Sequence, residues 1–136
     1  MEQTDKIVQF RRRPRYSVYI QARIARAREK ARAIPRRAWV VGRSQTTGAR
    51  QFMVISSRGP HSYYPAAFDH PRRGGYCYAH DGEPLYWIVC DCDSYATHNK
   101  PCWHAARVQL RLAREEARNN AQRTGDRDGN GDGLAG

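Results

Sequence analysis

Residues 86–112 read YWIVCDCDSYATHNKPCWHAARVQLRL, and the fold turns on how this stretch is taken. One residue separates Cys90 from Cys92, one separates Cys102 from His104, and nine lie between the two pairs. Thiolate sulfur and neutral imidazole nitrogen are ligands that Zn²⁺ prefers, and four protein ligands close a tetrahedral shell with no position for a substrate or an activated water. The pattern predicts one structural zinc ion that organises the fold. His98, inside the intervening loop, is the rival to His104. Pairing as two cystines is disfavoured in a reducing compartment, where clustered cysteines serve more often as metal ligands. Cys77 has no companion nearby and reads as a small buried hydrophobe.

Outward from the ligands, secondary structure follows from local chemistry. LYWIVC leads into Cys90 as a strand, and YCYAH is its partner across Asp81-Gly82, a strong hairpin signal because glycine tolerates positive φ. Pro101 precedes a helix expected to run to about residue 119. Its core face would carry Trp103, Ala106, Leu110, Ala113 and Ala117 at three- and four-residue steps, and Cys102 and His104 would fall at its start. Three thiolates on a divalent ion carry a net charge of −1, which the positive end of a helix dipole favours. Further upstream, AWVVGR and RQFMVIS are β-branched and aromatic runs joined by SQTTGA, a second hairpin. Residues 57–75, rich in proline and glycine, read as a loop or insertion whose Tyr63, Tyr64 and Phe68 either pack over the sheet edge or stack on bases, packing being favoured because no charges lie among them. Residues 17–34 are strong helix formers stopped by Pro35, with a thin apolar stripe of Val18, Ile20, Ile24, Ala27, Ala31 and Ile34.

The fold class expected is α+β: a small antiparallel sheet of hairpins followed by a helix around one structural zinc, with a basic N-terminal helix and a disordered C-terminal tail. The segment CDCDSYATHNKPCWH resembles a SWIM zinc finger, the Cys-x-Cys, variable gap, Cys-x-His module. Tyr95 falls where that family has an aromatic residue and Pro101 where a proline precedes the third ligand. The two strands before Cys90 and the helix at Cys102 agree with its ββα arrangement. The resemblance covers 38–115 at the loosest and 86–112 at the tightest. It implies binding to DNA or to protein, not a reaction. The approach to Cys90 is longer than the family pattern, and Ala105 and Ala106 stand where a bulky aliphatic residue usually follows His104. Either the helix packs closer, or Val108 and Leu110 take over that packing.

Charge points to a partner. The chain has 136 residues and a formal net charge of +11, with 24 basic and 13 acidic residues. Twelve of the basic and three of the acidic residues lie in 1–37. Arg11, Arg12, Arg13, Arg15, Arg23, Arg26, Arg36 and Arg37 are the candidate nucleic-acid contacts, because guanidinium forks phosphate oxygens and releases condensed counterions. The sequence divides into a basic, partly helical segment at 1–37, a zinc-finger domain at 38–119 and a Gly/Asp-rich tail at 120–136. Nucleic acid, DNA ahead of RNA, is the expected partner. The alternative is a protein-interaction adaptor in which the finger and the aromatic loop dock on a partner.

Other classes find little support. No apolar run approaches the ~20 residues of a membrane span, and no signal-type stretch follows the N-terminus, so a soluble, cytoplasmic protein is expected, with no membrane or small-molecule partner. Catalysis needs a nucleophile beside a base, and the Cys/His cluster is better used by metal; the chain is not expected to be an enzyme. In the tail, Asp126, Asp128, Asn130 and Gly131 match the opening of a calcium loop, but its twelfth ligand position falls beyond residue 136.

Overall fold

The structure is a computed structural model that describes residues 13–57 and 59–135, and the side chains only as far as residue 122. Six antiparallel strands form one sheet: β1 (Ala38–Arg43), β2 (Arg50–Ile55), β3 (Ser62–Tyr63), β4 (Ala66–Phe68), β5 (Tyr76–Cys77) and β6 (Trp87–Val89). Their order is β1-β2-β4-β6-β5, with β3 paired to β2. Helix α1 (Val18–Ala33) precedes the sheet, the single turn α2 (Asp93–Ala96) follows β6, and α3 (Trp103–Ala135) ends the chain. The architecture is thus α+β, with helices packed on an antiparallel sheet.

The first hairpin forms as its sequence suggests. Gly48 takes φ +76° in the connection, and Val41 is an extra residue that shifts the register between Val40 and Gly42. The second hairpin departs in its loop: β5 pairs with β6 through Tyr76↔Ile88 and Cys77↔Trp87, well before Asp81-Gly82. A tight turn does form there, with Gly82 at φ +84° and Glu83 N donating to His80 O at 3.0 Å. The ladder stops early because Tyr78 and Ala79 turn into the protein interior.

The segment expected to be a loop, 57–75, contains two strands. β4 lies between β2 and β6 near the middle of the sheet, with Ala67 opposite Ile88 and Phe68 opposite Trp87. Ala66 and Ala67 carry little strand propensity of their own; the paired strands on either side impose the conformation. Phe68 is buried, Tyr63 is half-buried against the core, and Tyr64 remains exposed.

Ser17 caps α1, its hydroxyl accepting from Ile20 N at 3.2 Å, which satisfies one of the free amides of the first turn. Ile24, Ala27, Arg28 and Ala31 are the buried face, whereas Val18 points to solvent. This face packs against α3, so the 1–37 segment shares its core with the residues that follow it. Small side chains allow the approach: Ala27 and Ala31 on α1, Ala105 and Ala106 on α3. Val108 is also fully buried and Leu110 partly, which answers the absence of a bulky residue after His104. The core face of α3 is nevertheless rotated from expectation. Ala105, Val108, Gln109 and Leu112 are buried with Trp103 and Ala106, while Ala113 is half-buried and Ala117 exposed. The helix also continues to Ala135, past the boundary expected at 119, with no proline after Pro101 to stop it. Among the described residues no helix is long and apolar enough to cross a membrane.

Candidate metal centre and adjoining cleft

Cys90 follows the last residue of β6, Cys92 is the N-cap of α2, and Cys102 and His104 flank the first residue of α3. All four are buried, and their ligand atoms lie within 4.8 Å of one another. Cys90 Sγ and His104 Nδ1 are 4.0 Å apart. Such spacing suits four donors converging on one ion at metal–ligand distances near 2.0–2.3 Å. Cys90, Cys92, Cys102 and His104 can therefore hold a metal ion, and among the described residues they form the one such cluster. His98 is exposed and stands outside it, and Cys77 is buried in β5 away from it.

Three thiols confined together cannot all ionise without a cation. Hydrogen bonding with Cys102 and Cys92 pushes the Cys90 thiol far above its ordinary range. The same contacts, chiefly that with Cys102, hold Cys92 far below it. Burial raises Cys102. A divalent cation removes this conflict by stabilising every thiolate at once.

A chain of tyrosine hydroxyls fixes the ligand-bearing segments to each other. Cys102 N donates to Tyr78 Oη at 3.1 Å, Tyr78 shares a hydrogen bond with Tyr95, and Tyr95 Oη donates to Ile88 O at 2.9 Å. Each hydroxyl thus accepts one bond and donates one, tying the start of α3 to α2 and to β6. Burial raises the pKa of both phenols, so both stay neutral and able to donate. The third ligand's sulfur accepts from Ala105 N at 3.5 Å. In the inter-pair loop, Ala96 N bonds Cys92 O at 2.8 Å and Lys100 N bonds Ser94 O at 2.7 Å. Asn99, at φ +49°, makes the reversal toward Pro101. Tyr95 is recognisable from its spacing to Cys92, whereas Tyr78 lies outside any local motif.

Tyr95→Phe should cost about 1–3 kcal/mol, the penalty for leaving buried polar groups unpaired. Urea unfolding should show a lower midpoint at unchanged slope. A midpoint equal to that of the parent would mean that the hydroxyl chain contributes nothing.

Beside the cluster lies a cleft of about 460 Å³ whose lining includes Cys92, Cys102 and His104 on one side and Arg23, Arg26 and Lys30 of α1 on the other. The eight candidate arginines therefore separate. Arg23 and Arg26 reach the cleft. Arg13 pairs with Asp81 and borders a different recess, near Tyr16 and Cys77. Arg15 is exposed, and Arg36 and Arg37 sit before β1, with Arg37 over the Trp39 ring at 5.8 Å. Arg11 and Arg12 lie outside the described residues. Lys30 joins the cleft although charge density alone did not single it out; its i+4 relation to Arg26 on a helix is the available signal.

No protein-family model matches the chain, and neither does any curated protein or solved structure.

Proposed function

We propose that this chain is a zinc-stabilised, SWIM-type nucleic-acid-binding module with no enzymatic role, in which the metal builds the platform and basic residues of α1 supply phosphate contacts. Three cysteines and a histidine are the donor set that favours Zn²⁺ in a closed site. The single observation that carries the nucleic-acid reading is the cleft in which Arg23, Arg26 and Lys30 stand across from the metal ligands. Its basis is electrostatic, so affinity should fall linearly with log salt, by about 0.7–0.9 units per phosphate neutralised. Fluorescence anisotropy of labelled DNA and RNA with the full chain, from roughly 50 to 200 mM salt, provides the test. A flat response, or no binding at the low end, would sink it. Deleting 1–37 is unsuitable because Ile24, Ala27 and Ala31 belong to the core; deleting 1–12 tests Arg11 and Arg12 separately.

A second reading, a protein-interaction adaptor, draws on β1. It is an edge strand of the sheet, and Trp39, Val40 and Val41 are all about half exposed. Such an edge can pair with an extended partner segment. Nucleic-acid binding unaffected by Val40→Lys, together with loss of a co-purifying protein in the same variant, would favour it.

A further inference from the structure

Tyr19, Arg23, Arg26 and Lys30 are spaced by four, three and four residues along α1, so they occupy one helical face. Three of them line the cleft. Tyr19 adjoins it: its ring lies 5.7 Å from Arg23 Cζ and 5.6 Å from Lys100 Nζ, and Lys100 precedes the cleft residue Pro101. Tyr19 as a residue is 54% exposed.

Arg23 Nη1 donates to Tyr19 Oη at 3.4 Å, a neutral partner that leaves its charge unbalanced. Among the described residues no carboxylate pairs with Arg23, Arg26 or Lys30, whereas Arg28 on the adjacent face forks Glu83. Arg23 Nε is buried with no acceptor, a state that Arg28 Nε and Arg107 Nε share outside the cleft. Among the described residues Asp93 is the one acidic side chain in the lining. A cluster of three thiolates, a neutral imidazole and a divalent ion would add a charge of −1. The three cations exceed those two negative charges. Ser57, Ser94 and Tyr63 supply neutral polar groups around the recess, and Trp103 adds an aromatic wall.

We propose that the cleft between α1 and the metal centre binds a single-stranded nucleic-acid segment, with Arg23, Arg26 and Lys30 on its phosphates and Tyr19 stacked on a base. A cationic groove beside an exposed aromatic ring is how single strands are held without sequence preference. A duplex keeps its bases stacked on one another, so it cannot use Tyr19. The inference rests on the nucleic-acid reading above and narrows it to one strand and one face of α1. The metal enters indirectly, since Cys92, Cys102 and His104 form the opposite wall.

Anisotropy of a labelled oligothymidylate, and of a duplex of equal length, against the zinc-loaded full chain at low salt decides the matter. Tyr19→Ala should weaken single-strand binding about tenfold or more, and Tyr19→Phe should restore it. The triple variant Arg23→Gln/Arg26→Gln/Lys30→Gln should lower the salt slope by roughly two units, at about 0.7 per phosphate. Arg43→Gln, which removes an exposed guanidinium held by Gly48 O beyond the cleft, should leave both unchanged. Metal content of one ion per chain in every variant would show that the platform persists. Parental affinity in both cleft variants or equal affinity for duplex would each overturn the single-strand cleft assignment while leaving the broader reading intact; equal displacement by polyglutamate would overturn both in favour of generic polyanion binding. No binding of either oligonucleotide by the parent would remove both.

Discussion

Cys102→Ser is expected to release the metal and abolish cooperative unfolding in the same step. Cys102 combines two features: its Sγ is one of the four donors that could hold a metal ion, and its backbone amide is the donor that begins the tyrosine chain to β6. The four ligands come from the end of β6, the cap of α2 and the start of α3, so one ion would crosslink three segments that otherwise meet through short elements. Structural zinc contributes about 10–16 kcal/mol in small domains, which matches or exceeds the ~5–15 kcal/mol stability of a whole domain. Loss of one thiolate therefore threatens the whole fold. Metal analysis should fall from one Zn per chain to near zero, and the thermal transition by circular dichroism should lose its sharpness. Chelation of the parent should reproduce both effects. Cys77→Ala, a change in a buried cysteine outside the cluster, should retain one metal per chain and a sharp transition. A chain that stays folded after chelation would show that packing, not metal, organises these segments.

The convergence of Cys90, Cys92, Cys102 and His104 is legible in the sequence because its chemistry is local. Each ligand pair spans three residues, and Pro101 and Tyr95 mark the loop between them. What surrounds the centre is less legible, since it depends on residues far apart in the chain. Tyr78 matters because its hydroxyl meets Cys102 N, 24 positions later. The β4 strand was unreadable for a related reason: Ala66 and Ala67 have weak strand preference and owe their conformation to β2 and β6. The face of α3 was misplaced because apolar spacing alone cannot reveal that a glutamine is core. Gln109 is fully buried and donates to Pro84 O at 3.0 Å. Arg28 is the sharpest case. In sequence it is one more basic residue in a positive segment, yet it is removed from solvent while Arg23 and Arg26 face the cleft.

That buried arginine leads to the second large expected effect. Arg28 is 1% exposed, and its guanidinium forks Glu83 at 2.7 and 2.8 Å while also donating to Tyr78 O at 2.8 Å. Glu83 further accepts from His80 N at 3.1 Å. The pair thus joins α1 to the turn before β6, and through the Tyr78 carbonyl to the residue whose hydroxyl supports Cys102. Glu83→Ala would leave the guanidinium desolvated without its counter-charge. Stranding a buried charge costs about 3–5 kcal/mol; because Glu83 is 20% exposed, the lower end, roughly 3 kcal/mol, is expected. The melting temperature should fall by more than about 10 °C. Arg28→Met combined with Glu83→Ala should recover part of the loss, since two absent charges are less harmful than one unpaired charge. Acid titration gives an independent measure. Burial, the largest single influence, would raise the Glu83 carboxyl, but the hydrogen bonds from Arg28, the His80 backbone amide and the Arg28 charge together outweigh it and hold it below its ordinary value of 4.5. The carboxylate therefore stabilises the fold above about pH 4.5, and that contribution disappears as pH falls through the lower folded value. Glu83→Gln should flatten this acid limb. An acid limb identical to that of the parent, or a Glu83→Ala protein as stable as the parent, would mean that Arg28 finds compensation in water and that the pair does not anchor α1.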